Sequence, residues 1–167
     1  INFNGNKAVN SASTLKLVST ATALEVLGHK FQYTTELSYS GQIIGNELKG
    51  NLYVSSDGDP SFASERWGNS YPKVLSNFVT SVKNAGISKI AGDIILMSTG
   101  FEKFDVSDTW AWNDLGNYYG ATPYFFNFNE NKFTVGFKAG KSLYEPTEIV
   151  SLKPNSNSWS IINQVTT

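Results

Sequence analysis

The sequence predicts an α+β fold, and three local patterns carry that prediction. Near the start, apolar residues recur at three- and four-residue spacing, as on one face of a helix. A strict alternation of apolar and polar residues follows, which is typical of a half-buried strand. A second helical stripe then lies between further apolar runs. The 167 residues suffice for one ordinary domain, or for one domain and a piece of another.

Two helices are predicted from the helical stripes and their end signals. The first runs from Ser13 to Leu27, with Ser11 or Ser13 as its N-cap and Gly28 at its C-cap. The second runs from about Tyr71 to Ala85, and Gly86 ends it. A motif of chemical interest lies at the start of the first helix.

Strands are predicted on both sides of the second helix. The alternation from Phe31 to Tyr39 predicts a strand that forms a hairpin with the run from Leu48 to Val54. The run from Lys89 to Met97 predicts a strand whose centre, Ile94 to Leu96, is buried on both faces. A long segment of little periodicity, 98–123, is predicted to be functional or lid-like. Three short strands close the chain, around Phe133 to Phe137, Thr147 to Leu152 and Trp159 to Val165.

Composition excludes several kinds of partner and site. The 13 basic and 14 acidic residues give a formal net charge of -1, which leaves no basic face for nucleic acid. The absence of cysteine excludes disulfides, thiolate zinc sites and a cysteine nucleophile. No stretch approaches the roughly 20 apolar residues of a transmembrane helix. Residues 1–10 hold neither an initiator Met nor an apolar signal core, so we expect a processed or trimmed chain.

Neither a metal nor another cofactor is expected. The carboxylates that are candidates for a metal site lack calcium-loop spacing, so we expect turn and cap roles for Asp57, Asp59, Asp93, Asp105 and Asp108. The lone His29 has no nucleophile elbow beside it in the sequence, so a structural or helix-end role is expected.

The run Ser13-Thr14-Leu15-Lys16 places a hydroxyl and an amine three residues apart on the first helix. Side chains at that spacing share a helix face, so the two groups can touch. A serine becomes a strong nucleophile when a base takes its proton, and a lysine amine can be that base. On spacing alone, an N-capping serine and a solvated lysine are the favoured roles of the two residues. The segment from Ser70 to Lys73 has the same spacing, without surroundings that indicate a nucleophile.

The segment from Ser11 to Leu17 resembles the nucleophile segment of the peptidase S13 D-Ala-D-Ala carboxypeptidases, where a small-residue turn leads into Ser-Thr-x-Lys-Leu. Further segments follow the order of that family: Leu48 to Leu52, Asp57 to Pro60, Ile90 to Ile94, Trp110 to Leu115, Tyr119 to Ala121, Asn127 to Asn131, and Asn163 to Thr167. One departure is that Ser55-Ser56-Asp57-Gly58 stands where family members often have a Gly-rich run. A local backbone change is expected there.

The resemblance implies a serine D-alanyl-D-alanine carboxypeptidase or endopeptidase that acts on peptidoglycan stem peptides in the periplasm or at the cell surface. It implies that Ser13 is acylated, by substrate or by β-lactam antibiotics, and that Lys16 activates it. It also implies that Asp114 contacts the free amino group of the stem peptide, beside an aromatic wall that includes Tyr119. An Asx turn or a helix cap is the alternative role for Asp114.

The same resemblance implies two regions in the chain. Residues 1–30 would be a piece of a serine transpeptidase-type domain that carries the Ser-x-x-Lys helix. Residues 31–167 would be an inserted accessory domain with an antiparallel sheet and one helix. The Ser-x-Asn or Tyr-x-Asn motif and the Lys-Thr-Gly motif that complete such sites do not occur, so we expect a truncated chain that is inactive alone. Two alternatives stay open, namely a non-catalytic peptidoglycan-binding fragment, and a penicillin sensor or β-lactamase. The absence of Glu-x-x-Leu-Asn argues against a class A β-lactamase.

Overall fold

The chain folds into two units, Ile1–Tyr33 and Thr34–Thr167. The structure is a computed structural model that describes residues 3–97, 106, 108–156, 158 and 160–167. The assignment of these units to a transpeptidase domain and an inserted domain stays a prediction. Within the described ranges, no helix has the length and apolar character of a membrane span.

The first unit contains helix α1, Leu15–Leu27, which a 3₁₀ turn over Ala12–Thr14 precedes. The predicted helix is therefore confirmed, but its predicted cap is wrong. Ser11 has helical backbone angles and makes no side-chain cap hydrogen bond, because a capping side chain needs an extended backbone at that position. At the other end, Gly28 has a φ of 80° and a ψ of 161°, so it ends the helix outside the left-handed helical region.

Helix α1 contains no buried residue, although most of its side chains are apolar. More than half of each large apolar side chain is exposed at Leu15, Leu17, Val18, Leu24, Val26 and Leu27. These positions lie around the helix and not on one stripe. A helix that is apolar on all sides is typical of the interior of a larger core.

The second unit contains helix α2, Tyr71–Asn84, and every strand that the structure describes. The prediction of α2 is confirmed to within one residue at its C-terminus. In chain order the strands are β1 Thr35–Tyr39, β2 Gln42–Ile44, β3 Glu47–Lys49, β4 Leu52–Ser56, β5 Lys89–Ile90, β6 Ile94–Met97, β7 Thr134–Lys138 and β8 Glu148–Lys153.

Among the described residues, these strands form three small sheets, in the orders β1-β4-β6, β2-β3-β5 and β7-β8. The β1–β4, β2–β3 and β7–β8 pairs are antiparallel, whereas β4–β6 and β3–β5 are parallel. The predicted antiparallel pairing therefore holds for three of the described strand pairs and is wrong for the other two. Helix α2 lies between β4 and β5 in the chain, and such a crossover lets the next strands run parallel to the earlier ones.

Two predicted strands begin late or divide because distant side chains bind their backbone. The strand predicted from Phe31 begins at Thr35, since both carboxylate oxygens of Asp57 accept the N–H of Thr34, at 3.0 and 2.9 Å. The run predicted as one strand from Lys89 divides into β5 and β6, where Asn51 Oδ1 accepts the N–H of Asp93 at 2.9 Å. The predicted hairpin partner of β1 is β4, and β2 with β3 form a further hairpin between them.

Two other strand predictions are wrong. The centre of β6 is not buried, since Ile94 is 66% exposed and Leu96 is 50% exposed. Strand β6 lies at the edge of its sheet and pairs with β4 alone among the described strands. In the region predicted as a strand from Trp159 to Val165, the described residues form no strand, and one isolated bridge lies just after it, between Thr166 and Pro146. Trp159 itself lies outside the described residues, as do Asp105 and the rest of 98–105 in the segment 98–123, together with residue 107.

The core of the second unit is small and lies around β3, β4 and α2. Its buried apolar residues are Leu48, Leu52, Val54, Ala63, Val74 and Ile87. Beside it, Phe62 contacts the rings of Phe78, Phe126 and Phe128, with centroids 5.7, 5.5 and 6.4 Å away. These aromatic contacts join α2 to the segment that precedes β7, which contains several of the functional candidates.

Candidate active site

Ser13 and Lys16 lie together at the start of α1. Lys16 Nζ donates a hydrogen bond to Ser13 Oγ at 3.1 Å, as expected for residues three apart on a helical turn. Both side chains are exposed within the described part of the chain. The hydroxyl of Ser13 thus has an amine partner and not an N-cap partner. This contact is the geometry that a lysine-activated serine requires.

The backbone directly before Ser13 has an uncommon conformation that the sequence did not indicate. Ala12 has a φ of 42°, in the left-handed region that residues with a Cβ atom seldom occupy. Its N–H donates to Asn10 Oδ1 at 3.0 Å, and the N–H of Thr14 donates to the carbonyl of Ser11 at 3.0 Å. Backbone strain of this kind is common at functional sites, where it directs a side chain.

The second Ser-x-x-Lys match has a different arrangement. Lys73 Nζ donates to the carbonyl oxygen of Gly68 at 3.4 Å. Ser70 precedes α2, and its own carbonyl accepts the N–H of Val74 at 3.1 Å. The spacing alone therefore does not bring a serine and a lysine together, and only the first match has the required contact.

Asp114 and Tyr119 form a second pair, in the other unit. The hydroxyl of Tyr119 donates to Asp114 Oδ1 at 3.0 Å. That hydrogen bond, followed by burial and the negative charge of Asp114, raises the pKa of Tyr119 above its ordinary value of 10.0. The pair lines a cleft of about 350 Å³ together with Trp110. A half-buried carboxylate thus lies beside two aromatic rings.

A closed loop of the backbone brings these two residues together. The carbonyl of Asp114 accepts the N–H of Asn117 at 3.0 Å, and the carbonyl of Asn117 accepts the N–H of Gly120 at 2.9 Å. Gly120 is buried, and a Cβ atom at that position would lie 2.3 Å from the carbonyl oxygen of Asp114. The backbone carbonyl of Asp114 therefore closes the loop, and its side chain binds Tyr119.

Two segments that resemble the S13 family but lie far apart in the sequence are joined by Asn127. Its side chain is almost fully buried, with 3% exposed. Asn127 Nδ2 donates to the carbonyl of Gly58 at 2.9 Å, and its Oδ1 accepts the N–H of Tyr124 at 2.8 Å. In the same turn, Asp59 Oδ1 accepts the N–H of Ser61 at 2.8 Å, which agrees with the turn role expected for that carboxylate.

Glu130 is a further polar centre that sequence reasoning missed. It accepts a hydrogen bond from the hydroxyl of Ser64, which is fully buried, and it forms ion pairs with Lys132 at 3.0 Å and Arg66 at 3.7 Å. The bond from Ser64, followed by the ammonium of Lys132, lowers the pKa of Glu130 below its ordinary value of 4.5, although burial acts in the opposite direction. The charged form of this carboxylate therefore joins the turn before α2 to the segment before β7.

Comparison with known proteins assigns the family. The sequence model of the D-Ala-D-Ala carboxypeptidase 3 (S13) family matches residues 1–167. The chain belongs to the S13 family. This S13 chain is 33% identical over 150 residues to the D-alanyl-D-alanine carboxypeptidase DacB of Haemophilus influenzae. The aligned part covers 90% of this chain and 29% of that protein. It is 27% identical over 106 residues to the D-alanyl-D-alanine carboxypeptidase of an Actinomadura species. That alignment covers 64% of this chain and 18% of that protein.

Solved structures show the same relationship. Penicillin binding protein 4 of H. influenzae matches the S13 chain with a TM-score of 0.75 and 31% identity, over 89% of this chain and 31% of that one. The same protein in complex with a β-lactam matches with a TM-score of 0.63 and 27% identity, over 89% of this chain and 28% of that one. The S13 chain thus spans less than a third of the length of these relatives. The predicted family and the mixed α and β character of the fold are confirmed.

Proposed function

We propose that this S13 chain carries the acylated serine of a serine-type D-alanyl-D-alanine carboxypeptidase that acts on peptidoglycan stem peptides. The hydrogen bond from Lys16 Nζ to Ser13 Oγ carries the proposal, because it lies in the segment that resembles the nucleophile segment of the family. The named relatives are D-alanyl-D-alanine carboxypeptidases, which supports the substrate class.

The proposed reaction has two steps. In the first, the amine of Lys16 accepts the hydroxyl proton while Ser13 Oγ attacks the carbonyl carbon of the penultimate D-alanine. The peptide C–N bond breaks as Lys16 passes the proton to the leaving nitrogen, so the terminal D-alanine leaves as a free amine and the peptide remains as an ester on Ser13. In the second step, water cleaves the ester and restores the hydroxyl. The positive end of the dipole of α1 favours the negative charge that develops near Ser13.

Asp114 is proposed to bind the free amino group of the stem peptide. Its Oδ1 accepts the hydroxyl of Tyr119, and no described residue donates a hydrogen bond to its Oδ2. An ammonium group in the cleft can therefore pair with Oδ2 while Tyr119 and Trp110 contact the adjoining methylene groups. Tyr119 also orients the carboxylate, because its hydrogen bond selects one rotation of the carboxyl plane.

β-Lactam antibiotics are proposed to acylate the same Ser13, since penicillin binding protein 4 of H. influenzae has been solved with a β-lactam. Peptidoglycan lies outside the cytoplasmic membrane, so we place the protein in the periplasm or at the cell surface. Neither a metal nor a cofactor enters the proposed reaction. The resemblance supports catalysis over a purely peptidoglycan-binding role, and the following experiment separates the two.

The test is acylation of the full-length protein by a fluorescent penicillin, followed by mass spectrometry of the labelled peptide. Ser13→Ala should abolish the label, and Lys16→Ala should slow its formation without unfolding the protein. Ser70→Ala is the matched control, because it removes the serine of the other Ser-x-x-Lys match, and it should label normally. An adduct on any residue other than Ser13 would contradict the assignment. A folded full-length protein that takes no label and cleaves no stem peptide would favour the non-catalytic binding role.

A further inference from the structure

Three successive residues, none of them glycine, have left-handed backbone conformations in a turn that two residues separate from β7. The φ angles of Asn129, Glu130 and Asn131 are 52°, 57° and 51°. Each such residue costs free energy, so a run of three persists only where the surrounding contacts require it. Such runs are most informative near a functional site, because the strain fixes the direction of particular side chains.

The side chain of Asn131 points from this turn to the segment that follows the Asp114 loop. Its Nδ2 donates to the carbonyl of Thr122 at 2.9 Å and to Asn127 Oδ1 at 2.7 Å. Its Oδ1 accepts the N–H of Phe128 at 3.1 Å. All the polar atoms of this amide are therefore used, and one of its bonds holds the backbone two residues after the buried Gly120.

The residue before Tyr119 borders a cleft that this turn also lines. Tyr118 lines a cleft of about 220 Å³ together with Thr122, Glu130 and Asn131. The rings of Tyr118 and Tyr119 meet edge to face, with centroids 5.4 Å apart. The turn therefore holds the chain after Tyr119 through the Thr122 carbonyl, and it borders the same cleft as the Tyr118 ring that packs on Tyr119.

We infer that Asn131 is a positioning residue for substrate recognition: it holds the segment from Tyr118 to Thr122 so that Tyr119 orients the Asp114 carboxylate toward the amino group of the stem peptide. This inference rests on the proposed role of Asp114. Asn131 touches neither the substrate nor the reacting atoms in this scheme. Its effect is confined to substrates that carry the free amine.

The test compares two stem peptides in the full-length protein, one with its free amine and one with that amine acetylated. Amine selectivity is the ratio of their kcat/KM values. Asn131→Gly keeps the left-handed backbone available and removes the side-chain bonds. It should lower the amine selectivity about fivefold, the effect of one neutral hydrogen bond. Hydrolysis of the acetylated peptide and penicillin acylation should not change.

Asn129→Gly is the matched control, because it makes the same exchange in the same turn. The side chain of Asn129 donates to the carbonyl of Lys132 at 2.7 Å and so does not hold Thr122. The amine selectivity of Asn129→Gly should equal that of the unchanged protein. Asn131→Asp, which keeps the shape and the acceptor of Asn131 but loses the donor, should behave as Asn131→Gly does.

Asp114→Asn separates the two proposals. If it lowers amine selectivity while Asn131→Gly leaves it unchanged, Asn131 is not a positioning residue and the role of Asp114 stands. An unchanged selectivity in Asp114→Asn would overturn both. An equal loss in Asn129→Gly and Asn131→Gly would assign the effect to the turn as a whole and would also overturn the inference. The double variant Asp114→Asn/Asn131→Gly should lose no more than Asp114→Asn alone, because both changes act on one contact.

Discussion

Replacement of Asp114 by asparagine tests the substrate-reading site with the smallest change in shape. The asparagine keeps an oxygen that can accept the hydroxyl of Tyr119, which lies 3.0 Å from Oδ1 in the structure. It removes the negative charge and places an NH₂ group where Oδ2 is proposed to face the ammonium of the substrate. The exchange therefore leaves the loop intact and removes the charge-assisted bond.

The expected loss follows from the burial of Asp114. A hydrogen bond to a charged group contributes about 1.5–3 kcal/mol, whereas a fully exposed ion pair contributes about 0.2–1 kcal/mol. Asp114 is half-buried in an open cleft, so we expect the lower part of the first range. This corresponds to a loss of roughly tenfold in kcat/KM for a stem peptide with a free amine.

The assay measures kcat/KM for free-amine and acetylated stem peptides together with the rate of acylation by a penicillin that lacks an amine. Asp114→Asn should affect the free-amine peptide alone. Asp108→Asn is the matched control, because Asp108 is an exposed carboxylate in the same segment that is not among the residues lining the cleft. An equal loss toward all three compounds would mean that Asp114 supports the fold and does not read the substrate.

Two further predictions concern the contacts around this site. Gly120→Ala should destabilise the full-length protein by about 1–3 kcal/mol in urea unfolding and lower amine selectivity, because the new methyl group would overlap the carbonyl of Asp114. Gly116→Ala, where a Cβ atom has open space, should stay within about 0.5 kcal/mol of the unchanged protein, and an equal effect of the two would refute the overlap argument. The pKa of Glu130 is lowered in the folded state, so its stabilising contribution is present above pH 4.5 and is lost as the pH falls through the lowered value. The difference in stability between the unchanged protein and Glu130→Gln should therefore be constant near neutral pH and shrink in acid, and a pH-independent difference would show that the charge of Glu130 does not matter.

Local patterns predicted those elements whose boundaries are set by their own residues. The stripe of α2 and Gly86 after it define that helix from within, so the prediction and the structure agree closely. Strand ends were missed where a remote side chain competes for the backbone. The carboxylate of Asp57 binds Thr34 from 23 residues away, and Asn51 binds Asp93 from 42 residues away. A local sequence pattern covers too few residues to include both members of such a pair. The parallel pairs were missed for the same reason, because their partners lie on either side of α2.

The candidate site shows the same difference between contacts set by neighbouring residues and contacts set by remote ones. The spacing of Ser13 and Lys16 predicted their contact, because a helical turn brings residues three apart together. The prediction that Asp114 and Tyr119 lie together came from family resemblance. Their contact depends on the close approach of Gly120 to the carbonyl of Asp114, which composition does not show. The left-handed turn had a weak signal, since Asn129 and Asn131 are of a type that tolerates positive φ. Glu130 had none, because its partners Ser64 and Arg66 lie more than 60 residues away in the chain.

The proposed recognition site is therefore built from amide side chains and close backbone contacts and not from a sheet. Between residues 108 and 132 the structure describes only short 3₁₀ turns, and side chains such as Asn127 and Asn131 supply hydrogen bonds that strand pairing supplies elsewhere. A sheet shares its stability over many equivalent bonds, whereas here one amide holds two or three backbone groups. Single substitutions in this segment should consequently change substrate recognition before they change the stability of β1, β4 and α2. Segments held in this manner open at lower free energy than a packed core.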